Sequence, residues 1–430
     1  MKFWTIAALL FSTPLWGQLN QTFSDLVNEV LINRLVLSPG EHASHFREQA
    51  ALANQQLVPA LNALIATNIS SFPNNSTASG VTYDFSSGAP KKIVGSLGPI
   101  FGETASTLGR KKMYFNVNAS HLSLDRFRGL KTQDIRFTFT HLDVSQDGHL
   151  GDNPNESDTI DLFLDMDVNA EIYALTFAYG LTDSVDFSLG VPFVSLDLGG
   201  TATARINSFT FSNLGMANHN FGPDPTQPQL ETQIPYGGSA SGIGDIAVRF
   251  KFNFLQGKRF DLALQLDARL PTGDEKDFLG TGKTSFRISE LISKRDGDFC
   301  PHLNLSYEKR GAQLDSDELQ IVAGFDHKMT DSVTIAAELM GYFDLNDSEN
   351  VVLFPGSVTI EDHVAGGALS REIDLSNIPE RSDDNTYSGA LGFRYGPSDR
   401  FNLLANIIVP LNDAGLRSNV AATVGFSYAY

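Results

Sequence analysis

Two groups of carboxylates are spaced so that they could do chemistry. In Asp143-Val144-Ser145-Gln146-Asp147-Gly148-His149, oxygen donors occupy positions one, three and five and a glycine occupies position six. That is how a calcium loop of the EF-hand type opens. Position twelve is Pro154 where such a loop supplies a bidentate Glu, so Asp152, Glu156 or Asp158 would have to complete the shell. Calcium on Asp143, Ser145 and Asp147 is the one cofactor the sequence suggests, against the plainer reading of a hairpin tip rich in Asp and Gly.

The second group is a stripe. Asp161, Asp165, Asp167 and Glu171 fall on one face of a segment whose other face is Ile160, Leu162, Leu164, Met166 and Val168. Arg136, Arg249, Lys251, Arg269, Arg287 and Arg394 fall on the polar faces of other alternating segments, and Asp267 shares a face with Arg269. If these faces line one lumen, acids opposed by bases set a field across it and select solutes. The alternative is that the charges pair and fill the lumen.

Catalytic patterns are missing. The nine His form no His-x-x-x-His pair, no Gly-x-Ser-x-Gly is present, and phosphate-loop and dinucleotide fingerprints are absent. The single Cys300 makes neither an intramolecular disulfide nor a Cys-based zinc site. A non-enzymatic role is expected.

Composition narrows the class of protein that holds these residues. Hydrophobic residues make up 42% and aromatics 10% of 430 residues, with 31 Phe and 37 Gly, and only 19% are charged. That is too apolar for a disordered chain. The 31 basic residues against 50 acidic ones give a net charge of −19, the wrong sign for a nucleic-acid binder. A short apolar run from Phe3 to Phe11 behind Lys2 and ahead of Pro14 and Gly17 reads as a secretory leader, residues 1–17. No later stretch is long and apolar enough for a membrane-spanning helix.

From Gln18 to about Thr67 apolar residues recur at helical spacing: Phe23, Leu26, Val27, Val30 and Leu31, then Leu57, Leu61 and Leu64. A linker rich in Ser, Asn, Gly and Pro follows, so residues 18–95 read as a helical segment and linker. Beyond Lys111 the period becomes two. Ile246, Val248, Phe250, Phe252 and Phe254 alternate with Asp245, Ala247, Arg249, Lys251 and Asn253, and many later segments repeat the pattern. Several such strands run about ten residues, the length that crosses a bilayer. Short turns with similar wording, at residues 180–186, 256–260, 329–334 and 396–402, alternate with long polar stretches near 199–242 and 345–384. Alternation continues to the last residue through Phe426, Tyr428 and Tyr430, an ending like the assembly signal of bacterial outer-membrane barrels. The expected fold is therefore all-β: an antiparallel transmembrane β-barrel of about 12–14 strands over residues 96–430. A strand near residues 80–86 or a misread segment would decide the count.

Wording adds to pattern. Gly98-Pro99-Ile100-Phe101-Gly102-Glu103, Ser241-Gly242-Ile243-Gly244-Asp245-Ile246, and Leu270-Pro271-Thr272-Gly273-Asp274-Glu275 with Gly280-Thr281-Gly282 resemble recurring phrases of a bacterial outer-membrane family labelled for meta-pathway phenol degradation. A looser likeness, helices ahead of a barrel, is to the long-chain fatty-acid transporters, in which the N-terminal segment plugs the lumen. The resemblance implies a channel or transporter for small hydrophobic or aromatic solutes in the outer membrane of a Gram-negative bacterium. Its implied partners are outer-membrane lipid, the barrel-assembly machinery and the solute, with no nucleic acid. A structural or adhesive barrel, or a barrel lipid hydrolase, are the alternatives, and the helices could plug the lumen or pack on a periplasmic partner.

Overall fold

Strands that alternate lipid-compatible and polar side chains bury both sets only if the sheet closes on itself. In the computed structural model twelve strands do so, each antiparallel to its neighbours. They are β1 (Lys112–Ser123), β2 (Thr159–Gly180), β3 (Val185–Asn207), β4 (Ile246–Gln256), β5 (Asp261–Leu270) and β6 (Ser285–Ser293). The second half is β7 (Phe299–Lys309), β8 (Glu318–Lys328), β9 (Val333–Asp344), β10 (Thr386–Ser398), β11 (Phe401–Pro410) and β12 (Ala421–Tyr428). Strand β1 closes the ring, pairing β12 through Val117 opposite Phe426 and β2 through Met113 opposite Tyr179.

The structure describes residues 18–37, 45–71, 82–84, 91–93, 99–311, 317–345, 356–364, 367–381, 383–398 and 401–428. The expected leader, most of the linker, Gly98, Tyr430 and the side chain of Tyr428 lie outside them.

Two segments decide the count within the expected 12–14, and it is twelve. Ile135–Thr140 is a real strand, but it pairs with the far end of β2 and bridges to Ser376 at Phe137, and is no stave of the ring. The short strand Thr82–Asp84 adds to the edge of β1 at Lys112–Tyr114 and is likewise outside it.

Both ends of the barrel chain lie at the rim formed by short turns, such as 181–184, 257–260 and 329–332. The opposite rim carries the long connections. Strands β2 and β3, 22 and 23 residues long, rise far past it, and the chain returns along β3 as the strand Glu231–Ile243.

Along these strands the alternation inverts. Near the short turns Leu175 and Tyr173 point outward and are exposed, while Thr176 and Ala178 are buried inside. Past residue 172 toward the long rim the outward side becomes Glu171, Asp167, Asp165 and Asp161, and the inward side becomes Ala170, Val168, Met166, Leu164, Leu162 and Ile160, all buried. A strand in lipid needs apolar residues outward; the same strand in water needs them inward. The switch between Tyr173 and Glu171 therefore marks the edge of the apolar band.

What the inverted face buries is the N-terminal segment. Helices α1 (Thr22–Asn28), α2 (His45–Leu52) and α3 (Val58–Ser71) sit inside the extended strands, with Phe23, Phe46 and Ile65 no more than 2% exposed and in one apolar core with Ile160, Leu196 and Ile206. Burying each such side chain is worth about 1.5–3 kcal/mol. The helices thus cap the long-loop rim.

Candidate functional site: the lumen

Inside the ring, strand register stacks polar side chains in rows. Arg249 lies opposite Asp267, Asp267 opposite Arg287, Arg287 opposite Glu308, and Glu308 opposite Glu318. The row crosses five strands. Arg249 Nε meets Asp267 Oδ2 at 2.6 Å and Arg287 meets the same oxygen at 3.0 Å; Arg310, just past β7, meets Glu318 at 2.9 Å. One step toward the short turns the row is Lys251, Gln265, Ser289, Ser306, Gln320 and Tyr342. Between these rows is a cavity of about 60 Å³ with Phe101, Leu291 and Val322 also in its wall. At roughly 10–15 Å³ per water that is room for about four to six waters.

The lumen narrows below this cavity because residues 99–110 run across it as a strap. Wall side chains hold the strap by its backbone. Glu338, on β9, accepts three successive N–H groups: Ile100 at 2.6 Å, Phe101 at 2.9 Å and Gly102 at 3.1 Å. Asn304 accepts the N–H of Glu103 at 2.6 Å and donates to its carbonyl at 2.8 Å. Lys251 Nζ pairs with the Glu103 carboxylate at 2.8 Å, Asn253 donates to the Ala105 carbonyl at 2.7 Å, and Ser293 Oγ accepts from Ala105. Arg394 donates to the carbonyl of Pro99, and Asp186 accepts from Leu108 at 2.8 Å. Ile100 is fully buried against Val322, Ala336, Met340 and Ala390. Gly392 makes that seat: a Cβ there would lie 2.7 Å from Ile100 Cγ1.

Five of the ten expected lumen residues are in the lumen: Arg249, Lys251, Asp267, Arg269 and Arg394. The other five are not, which corrects the sequence reading. Asp161, Asp165, Asp167 and Glu171 stand on the outer face of β2 beyond the apolar band, because there the inward face is taken by apolar residues packed on the helices. Arg136 lies on the outer face of the same sheet, its N–H bonded to Asn377 and its guanidinium to the carbonyl of Asp374. Glu338, Asn304 and Asp186 also face the lumen, and each stands between two apolar residues, which is the same signal; Glu308 and Glu318 each have a charged neighbour, Lys309 and Asp317, which hides it. The helical segment fills the inward face at the long-loop rim, and the strap crosses the lumen below it.

In the Asp143 loop the carboxylate closes its own turn, accepting from Gln146 at 2.6 Å and Gly148 at 2.8 Å and from the Ser145 hydroxyl at 3.1 Å. The Gly148 N–H above all holds the Asp143 carboxyl below its ordinary range. Asp147 accepts from His149 at 2.9 Å. Among the described residues no group of three or more His, Cys, Asp or Glu is set to hold a metal ion. In the cap above, Asp158 accepts from Phe209 at 2.7 Å, from Thr210 and from His219, and the Ser208 hydroxyl bonds to Asp158.

A family model described as "Putative MetA-pathway of phenol degradation" matches residues 143–370, more than half of the chain. The chain belongs to that family. No curated protein matches it. Among solved structures it is similar to the NanC porin, at 8% identity and a TM-score of 0.37, over 73% of this chain and 100% of that one. It is similar to a Pseudomonas aeruginosa FadL homologue at 9% identity and a TM-score of 0.31, over 74% and 88%. It is similar to the outer membrane phospholipase A from Escherichia coli at 8% and 0.29, over 73% and 94%.

In this member of the phenol-degradation family the three phrases noted in the sequence have structural roles. The first is the strap. The second and third meet at Asp245. Against β3, Ile243 faces Phe193 and Ala247 faces Gly190, so the returning strand carries one extra residue, a bulge at Gly244-Asp245. The Asp245 side chain is buried and accepts from Gly273 at 3.0 Å and from Thr281 N–H at 2.9 Å. It thereby ties the loop 271–284 over the barrel mouth, where Asp277 accepts the N–H of Leu19 at 3.1 Å.

Proposed function

We propose that this chain is an outer-membrane channel for small solutes and that the strap is its closed gate. The short-turn rim would face the periplasm and the capped rim the outside of a Gram-negative cell, as in other barrels of this kind. Outer-membrane lipid would cover the apolar band, and the barrel-assembly machinery would read the last strand, where Phe426 points outward. The observation that carries the reading is how the strap is held: mostly by hydrogen bonds between its backbone and wall side chains. Water can replace such bonds one by one, whereas the helix cap is a continuous apolar core. A barrel serving only as a scaffold has no need of a polar lumen closed this way. The apolar wall at Phe101, Leu291 and Val322 supports the hydrophobic or aromatic solutes the family label implies, and the cavity has room for a ring.

The test is a lock. With Cys300→Ser as background, Ala105→Cys and Ser293→Cys place two thiols at neighbouring points of strap and wall. In planar bilayers the reduced protein should show solute-dependent openings that oxidation abolishes. Equal traces in both states would remove the strap from the gating path.

A further inference from the structure

Arg269 stands out among the cavity's cations. Arg249 and Arg287 share Asp267, Arg310 pairs with Glu318, and nearby Lys251 pairs with Glu103. Arg269 lines the same cavity yet, among the described residues, makes no hydrogen bond and no ion pair within 4.0 Å. A guanidinium carries five donors in a fixed fork that matches a carboxylate, and those of Arg269 face the cavity free for a ligand. Ser285, which faces Arg269 across β5 and β6, donates through Oγ to the Glu308 carboxylate at 2.8 Å, so Glu308 stands beside Arg269 in the cavity wall.

The rest of the cavity completes a binding surface. Phe101, Leu291 and Val322 offer apolar contact, while Gln265, Ser289 and Gln320 offer hydrogen bonds to ring substituents. Space for about four to six waters is enough for one ring. We propose that the cavity binds single-ring organic acids, their carboxylate held by Arg269. This rests on the channel reading only in making the site a station on the solute path; binding itself can be measured without transport.

Glu308 predicts the direction of a second effect. It competes with the ligand for the field of Arg269, so removing its charge should tighten binding while removing Arg269 should loosen it. A merely structural Arg269 would not give these opposite signs.

The experiment is titration calorimetry of the folded protein in detergent, with benzoate and with benzyl alcohol as a neutral ligand of like size. Folding of every variant is checked by heat-modifiable gel mobility. The expected result is benzoate binding at least tenfold tighter than benzyl alcohol at low salt and weakened by added salt. Arg269→Gln should lose that preference, Arg269→Lys should keep part of it, and Glu308→Gln should increase it. Equal affinity for the two ligands, or an unchanged preference in Arg269→Gln, overturns the proposal. Should Arg269→Gln fail to fold, Glu308→Gln and Arg269→Lys decide: no gain in the first and no loss in the second overturns it. Binding without any benzoate flux into liposomes would sustain the acid site and sink the channel reading.

Discussion

Glu338 on the barrel wall accepts the backbone N–H of Gly102 at 3.1 Å, and the N–H groups of Ile100 and Phe101 converge on the same carboxylate. Three donors on one anion make the strap's opening residues a nest for a wall side chain. Hydrogen bonds to a charged acceptor are the stronger kind. Replacing Glu338 by Ala leaves three N–H groups without acceptors, at a cost of about 1–3 kcal/mol each if they stay buried. Moving the strap into water avoids that cost. Glu338→Ala should therefore fold as a barrel but conduct, with open probability well above wild type in planar bilayers. A silent Glu338→Ala pore would show that the nest does not hold the gate.

Gly102 is needed for a different reason. A Cβ at this position would lie 2.8 Å from His302 Nε2 and 2.9 Å from its Cδ2. His302 is fully buried and 3.3 Å from Glu338, so it has no room to yield. Gly102→Ala should lift the strap as Glu338→Ala does, whereas Thr107→Ala, at a half-buried strap position bonded to the Asp183 carbonyl, should not. Protease cleavage within residues 99–110, added from the short-turn side, would separate the two variants.

Much of this was legible in the chain, and the rest was hidden for physical reasons. Period two in Phe250, Phe252 and Phe254 against Arg249, Lys251 and Asn253 is sufficient for a strand with one apolar face and one polar face. The same logic misplaced Asp161 and Asp165, because period reports that two faces differ and not which of them is inside. Only the length of β2 and β3, too great for one bilayer crossing, could have warned that part of each strand stands in water. The strap hides more deeply. Its backbone, not its side chains, makes most of the contacts, and backbone groups leave no mark in a sequence beyond a glycine such as Gly102.

The edge of the apolar band can be tested on one strand. Leu175 and Asp167 both point outward from β2, four pairs of residues apart in alternation, on opposite sides of the switch. Lys at a lipid-facing site costs about 2–4 kcal/mol at the bilayer midplane and little near the interface. Leu175→Lys should lower stability by one or more kcal/mol in urea titrations of the protein folded into vesicles. Asp167→Lys should change it by less than about 0.5 kcal/mol, the usual range of a surface substitution. Equal costs at the two sites would put the band elsewhere.

Acidification should act on the loop 143–158 in two opposed steps. Glu156 is buried and accepts from Val144 at 2.7 Å and Gly151 at 3.2 Å. Burial above all, and then the Asp152 carboxyl hydrogen-bonded to it, raise its pKa above the ordinary 4.5. The folded loop thus holds that proton more tightly than the unfolded one, and its stability rises as pH falls from the raised pKa toward 4.5, then levels. Asp143 and Asp152 are shifted down, Asp143 chiefly by the Gly148 N–H and Asp152 chiefly by its bond to Glu156. Their contribution is present above 3.8 and is lost as pH falls further through their lowered values. Resistance of the loop to proteolysis by a protease active in acid should therefore peak near pH 4 and decline on both sides. Glu156→Gln should erase the rise on the alkaline side of that peak and keep the acid loss. A monotonic profile in the parent protein would show that Glu156 does not titrate in this contact.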